Sequence, residues 1–121
     1  MISSMQNYKD LKVWEKSHQF ALEIYRVTEG FPRQEMYGLT NQLRRAASSI
    51  AANIAEGCGR KTKPDFANFL NMSLGSSNEA EYFVLLARDL KYITDTEYEI
   101  FSKLVNEIKA MLIALITKVR G

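Results

Sequence analysis

The sequence predicts an all-α protein, an antiparallel up-down four-helix bundle, on three observations. Apolar residues recur at helical spacing in four long stretches. Those stretches are separated by clusters of residues that stop one helix and cap the next. Only two prolines and six glycines stand in 121 residues, so little else interrupts the chain.

The first helix is expected from about Tyr8 to Thr28 and stops at Gly30-Phe31-Pro32, a glycine terminator followed by a proline that cannot continue the turn. The second runs from about Gln34 to Glu56 and stops at Gly57-Cys58-Gly59. Thr62-Lys63-Pro64-Asp65 restarts the chain, with Thr62 placed to cap and proline in the first turn, and the third helix reaches about Tyr92. Thr94-Asp95-Thr96-Glu97 repeats the capping signal. The fourth helix then runs to about Val119, with Lys118 and Arg120 at its negative dipole end. Helices of about 22 to 28 residues would be about 35 to 40 Å long, and short connections between them favour antiparallel neighbours.

The apolar patterns differ from helix to helix. Ile100, Phe101, Leu104, Val105, Ile108, Met111, Leu112, Leu115, Ile116 and Val119 form one stripe on the fourth helix, which needs one buried face. The first helix carries two offset strips, Leu11, Trp14, Ala21, Leu22 and Tyr25 beside Val13, Phe20, Ile24 and Val27. In the second helix, residues 46 to 55 hold neither a charge nor a long polar side chain on any face. A helix of that kind is usually surrounded. The third adds Leu74, Tyr82, Leu85 and Leu86 outside its main stripe. One bundle does not hide all of this surface, so the chain is expected to form a homo-oligomer.

Composition bounds the class. Hydrophobic residues at 46% and charged residues at 25% suit one globular domain, expected over residues 8–121 after a flexible tail at residues 1–7. The single cysteine, Cys58, forms no internal disulfide and fits a reducing cytoplasm. No stretch approaches the ~18 apolar residues of a membrane span, so no membrane partner is expected. Net charge is +2 overall, but residues 1 to 63 carry ten Lys and Arg against six Asp and Glu, a mild excess that suits an anionic partner.

Candidate chemistry is sparse. The lone His18 lies among apolar positions of the first helix and reads as a hydrogen-bonded core residue rather than a base or ligand. One histidine and one cysteine do not make a zinc site or a Cys/His nucleophilic pair, and no nucleotide-loop or HExxH motif occurs. No catalytic residue, metal or cofactor is therefore expected, and the chain reads as a non-enzyme. Asn53, Glu56 and Gly57 end the second helix, while Gly75, Ser76 and Glu79 interrupt the third. Small residues let backbones approach, and Asn53, Glu56, Ser76 and Glu79 are expected to satisfy one another as a structural polar latch beside Gly57. Arg44 and Arg45, with Arg60, Lys61 and Lys63 in the following loop, are the basic candidates for phosphate contact; plain solvated surface is the other reading.

The chain resembles, over nearly its whole length, the four-helix-bundle family of proteins encoded in intervening sequences of bacterial 23S ribosomal RNA genes. The resemblance rests on Tyr8 through Trp14; Phe31-Pro32 with Tyr37-Gly38-Leu39; Gln42 through Ile50; Asn53 through Gly57; Phe66 through Leu70; and Gly75-Ser76 with Glu79. It implies a homo-oligomeric barrel of five copies without known enzymatic activity. The family is similar in architecture to accessory proteins of diversity-generating retroelements, pentameric barrels that work with nucleic acid and a reverse transcriptase. Weak binding of RNA or another nucleic acid, without base specificity, through Arg44, Arg45, Arg60, Lys61 and Lys63 is the expectation this analogy adds. The alternative is a scaffold ring that engages a polypeptide partner.

Overall fold

The computed structural model describes residues 7–121, in which four α-helices follow one another and no strand occurs. They are α1 (Lys12–Thr28), α2 (Leu39–Cys58), α3 (Lys63–Asp89) and α4 (Asp95–Arg120). Apart from Asn7, the expected tail lies outside the described residues. Asn7 caps a 3-10 turn over Tyr8–Asp10, its side-chain oxygen accepting from the Lys9 amide at 3.0 Å.

The helices are less equal than the spacing suggests, at 17, 20, 27 and 26 residues. α1 starts late because Leu11 is extended (φ −84°, ψ 125°) and separates it from the 3-10 turn. α2 starts at Leu39 rather than near Gln34. Pro32 leads into a second 3-10 turn, Arg33–Glu35, and Gly38 takes a non-helical conformation. Glu35 then supplies the missing start signal: its carboxylate accepts from the Leu39 amide at 3.0 Å, a negative charge at the positive end of α2. The other carboxylate oxygen accepts from the Tyr92 hydroxyl at 2.9 Å, and that bond raises the Tyr92 pKa above its ordinary value.

The expected caps are in place. Thr62 accepts from the Asp65 amide, and Thr94 and Glu97 form a reciprocal capping box. α3 ends through Lys91, whose φ of 65° is left-handed. The Tyr92 amide donates to the Ala87 carbonyl and the Lys91 amide to Arg88, which closes the last turn without a glycine.

α2 packs between α1 and α3, α4 packs on α3 and α1, and the backbones of the diagonal pairs stay apart across the shared core. Side chains mark the pairings. Arg44 of α2 reaches Tyr25 and Thr28 at the end of α1, and Gly57 at the end of α2 faces Phe66 and Phe69 at the start of α3. Arg88 covers the Tyr98 ring at 4.3 Å, Glu81 accepts from Lys109 at 2.7 Å, and Lys16 pairs with Glu107. Phe20, Ile24, Leu43, Ile50, Ile54, Phe66, Leu70, Val84, Val105, Ile108 and Leu112 are fully enclosed at the centre.

One chain leaves considerable apolar surface open. Leu22 and Tyr25 on α1, Met72 and Tyr82 on α3, and Ile100 and Ile113 on α4 are exposed. The charge-free stretch of α2 is not surrounded: Ala52 is exposed, and Ser48, Ser49, Asn53 and Ala55 are half-buried. At Gly75, exposed in mid-helix, a Cβ would meet nothing within 4 Å.

Candidate functional site

The five basic candidates separate in space. Arg44 and Arg45 stand in the first two turns of α2, whereas Arg60, Lys61 and Lys63 follow its far end, about 20 Å along the axis. Arg44 is committed within the chain. Its Nε donates to Thr28 Oγ1 at 2.7 Å, its Nη2 donates to the Tyr25 carbonyl at 3.3 Å, and its guanidinium lies 4.8 Å from the Tyr25 ring centre. Arg45 is exposed and makes no ion pair among the described residues.

At the loop, Arg60 pairs with Glu56 at 3.1 Å and covers the Phe69 ring at 5.1 Å, so part of its charge is spent locally. Lys61 and Lys63 are exposed without an ion pair among the described residues. Lys63 lines a surface cleft with Pro64, Asn68, Val119 and Arg120, which sets a fourth cation, at the end of α4, beside the start of α3.

The expected polar latch does not close within the chain. No hydrogen bond joins Asn53, Glu56, Ser76 and Glu79 to one another: the Asn53 amide donates to the Ser49 carbonyl of its own helix at 2.9 Å, and Glu56 accepts from Arg60. The cause is geometric. A buried position is already taken by Ser73, whose hydroxyl donates to the Ile50 carbonyl at 2.7 Å and ties α3 to α2. Gly57 does serve close approach, because a Cβ there would lie 2.9 Å from Phe66 Cδ1 and 3.0 Å from Phe69 Cβ. Glu79 instead borders an open groove of about 410 Å³ between α2 and α3, shared with Tyr37, Asn41, Gln42, Arg45 and Ser49.

His18 is exposed and not in the core. Its ring stacks on Trp14, with centres 5.0 Å apart and planes 9° apart, while Tyr8 meets Trp14 edge-on, also with centres 5.0 Å apart. The signal was the spacing, since positions 14 and 18 are four apart and share a helix face. Cys58 is buried, and burial pushes its thiol up to about 11, which keeps it protonated near neutral pH. Among the described residues no group of three or more His, Cys, Asp or Glu is placed to hold a metal ion, and no helix is long and apolar enough to cross a membrane.

The fold is shared with a known protein. A protein with unknown function from the S23 ribosomal protein family of Bacteroides thetaiotaomicron VPI-5482 has a solved structure that superposes with a TM-score of 0.80 at 34% identity, covering 87% of this chain and 95% of that one. Curated proteins include no match. The family model described as 23S rRNA-intervening sequence protein matches residues 9–114, which takes in α1, α2, α3 and most of α4 but stops short of Arg120, and the chain belongs to that family.

Proposed function

We propose that the chain is a non-enzymatic, homo-oligomeric up-down bundle of the cytoplasm that binds RNA or other nucleic acid weakly through basic residues. The observation that carries the binding reading is the cluster of exposed cations around the loop after α2: Lys61 and Lys63 without an ion pair among the described residues, and Arg120 across a cleft from Lys63. Arg60 adds to it in part, and Arg45 forms a separate contact on the same helix. Such groups displace counterions from phosphates, and repetition in every copy of a ring extends a modest charge into a continuous basic surface.

Two further features support the assembly and the topology. Leu22 and Tyr25 on α1 and Met72, Gly75 and Tyr82 on α3 are different surfaces, so a contact between them is head-to-tail, the kind of contact that closes a ring when the rotation between copies divides a full turn. Five copies is the ring size the family resemblance suggests. The pairings Arg44 with Thr28, Gly57 with Phe66 and Arg88 with Tyr98 each join the end of one helix to the start of the next, as alternating directions require.

Titration of unrelated RNA and DNA oligonucleotides at two salt concentrations tests the binding. Affinity is expected to fall with a log–log slope of roughly −0.7 to −0.9 per phosphate neutralised, and a variant with Arg60, Lys61 and Lys63 changed to Ala is expected to lose affinity and slope. No binding at low salt, or an unchanged slope in the variant, overturns this reading in favour of a scaffold ring with a polypeptide partner. Sedimentation tests the assembly, which a monomer mass at micromolar concentration would refute.

A further inference from the structure

The start of α1 carries an aromatic arrangement that packing within the chain does not use up. Tyr8, in the capped 3-10 turn, meets Trp14 edge-on, and the indole lies flat against His18 with planes 9° apart. Trp14 is half-buried and packs against the core, so its orientation is held from below, while His18 is exposed. Among the described residues no hydrogen bond engages either ring nitrogen of His18 or the indole N–H. The stack therefore ends on a flat imidazole open to solvent. A cation stands at its Tyr8 end: the Lys9 ammonium lies 5.9 Å from the Tyr8 ring centre, whereas Lys12, two residues before Trp14, is exposed on another side of α1. Neither lysine is in an ion pair among the described residues, and the carboxylates of the segment, Asp10 and Glu15, are turned to water.

A flat ring with pre-set orientation near an ammonium group that makes no ion pair among the described residues has the chemistry of a single-strand nucleic-acid subsite, in which a base stacks and the backbone phosphates meet cations. A duplex does not fit it, because its bases are already stacked on one another. We propose that the Trp14–His18 stack is a platform for an unpaired base of single-stranded nucleic acid, with Lys9 on an adjoining phosphate. The proposal rests on the reading of the chain as a nucleic-acid binder and extends it, since phosphate contacts alone do not distinguish single strands from duplexes. It also adds a binding element outside the loop after α2.

Trp14 is the protein's only tryptophan, so intrinsic fluorescence reports on this place alone. The test titrates the full chain, at low salt, with oligoadenylate RNA of about twelve nucleotides, the matching DNA, a duplex of that length and an abasic strand carrying the same phosphates. Anisotropy of a labelled strand and Trp14 emission are read together. Both single strands with bases are expected to quench Trp14 and to bind about tenfold more tightly than the abasic strand. His18→Ala is expected to abolish that difference while keeping the salt slope, and His18→Phe, which restores a flat ring, to recover it. Equal binding of base-bearing and abasic strands, or rising anisotropy with unchanged Trp14 emission, overturns the platform and leaves the basic-loop reading standing. Resistance of Trp14 in the free protein to quenching by acrylamide overturns it too, because a second copy then covers the stack. Absence of any binding by anisotropy overturns both readings.

Discussion

The hydroxyl of Ser73 donates to the carbonyl of Ile50 at 2.7 Å, fully buried, and joins the middle of α3 to the middle of α2. Ser73→Ala is expected to destabilise the chain by about 1 kcal/mol, the usual net worth of a buried hydrogen bond, with a fall in Tm of about 3 to 5 °C. Asn53→Ala is expected to change Tm by less than a degree or two, because the Asn53 amide bonds only its own helix at a half-buried position. Thermal denaturation of both variants decides which residue ties the helices. A larger loss at Asn53 would restore the polar latch, with the partner groups supplied by another copy.

Much of this fold is legible in the sequence for a physical reason: its signals are local. Thr62 and Thr94 announce their helices because capping involves residues three apart. The stripe of α4 is readable because its helix has one buried face, although Ile100 at its start is exposed. The α2 start was not readable, because its cap comes from Glu35 through a bend at Gly38, outside the usual cap position. The site was less legible than the fold. Arg44 and Arg45 look alike in sequence, yet one is bound to the end of α1 and the other is free, a difference set by rotation about the α2 axis and by what α1 offers there. Ser73 and Ser76 pose the same problem, since helical phase alone decides which of them faces Ile50.

Lys91 closes α3 in the left-handed region at φ 65°, where a side chain costs roughly 1 kcal/mol relative to glycine. The hydrogen bonds of that turn come from the backbone, so they do not depend on the lysine side chain. Lys91→Gly is accordingly expected to raise stability by several tenths of a kcal/mol, net of the added freedom of the unfolded chain. Chemical denaturation measures it, and a clear loss of stability would mean that the side chain holds the turn.

Gly57 and Gly75 are predicted to respond in opposite ways. A Cβ at Gly57 meets Phe66 Cδ1 at 2.9 Å and Phe69 Cβ at 3.0 Å, so Gly57→Ala is expected to destabilise the chain by roughly 1 to 3 kcal/mol. Gly75 has open space around it, and Gly75→Ala in a lone chain is expected to gain about 0.5 to 1 kcal/mol from helix propensity. If a second copy approaches the backbone at Gly75, the same change, and more so Gly75→Leu, weakens assembly while helix content is kept. Circular dichroism and sedimentation on the same samples separate the two effects.

Cys58 gives a prediction in pH. Its folded pKa of about 11 lies above the ordinary value of 9.0 because burial disfavours the thiolate. The unfolded chain therefore releases this proton first as pH rises, and the native state, still protonated, loses relative stability between about pH 9 and 11. The slope contributed by this one group approaches but does not exceed about 1.4 kcal/mol per pH unit. Cys58→Ala is expected to flatten that part of the profile, although it removes some buried volume. Thiol-specific reagents at pH 7 are expected to modify the native chain far more slowly than the chain in denaturant.

Arg44 and Arg45 provide the sharpest separation of structure from binding, because they differ in partners and not in charge. Arg44 donates to Thr28 Oγ1 and the Tyr25 carbonyl and lies over the Tyr25 ring, so Arg44→Ala removes two hydrogen bonds and a cation–π contact at the α1–α2 contact. A loss of about 1 to 2 kcal/mol is expected, seen as a lower denaturation midpoint. Thr28 keeps its own bond to the Ile24 carbonyl at 2.7 Å, which limits the damage. Arg45 makes no side-chain hydrogen bond or ion pair among the described residues, and Arg45→Ala is expected to leave the midpoint within about 0.5 kcal/mol of wild type. In the nucleic-acid titration the order reverses. Arg45→Ala is expected to lower the salt slope by up to about 0.9 if its guanidinium meets a phosphate, while Arg44→Ala leaves the slope unchanged at temperatures where it is folded. Equal slopes for wild type and Arg45→Ala would confine phosphate contact to the basic cluster beyond the end of α2. A reduced slope for Arg44→Ala would mean that its guanidinium leaves Thr28 to meet the phosphate, a rearrangement that Thr28→Val, which removes the hydroxyl acceptor, would make easier.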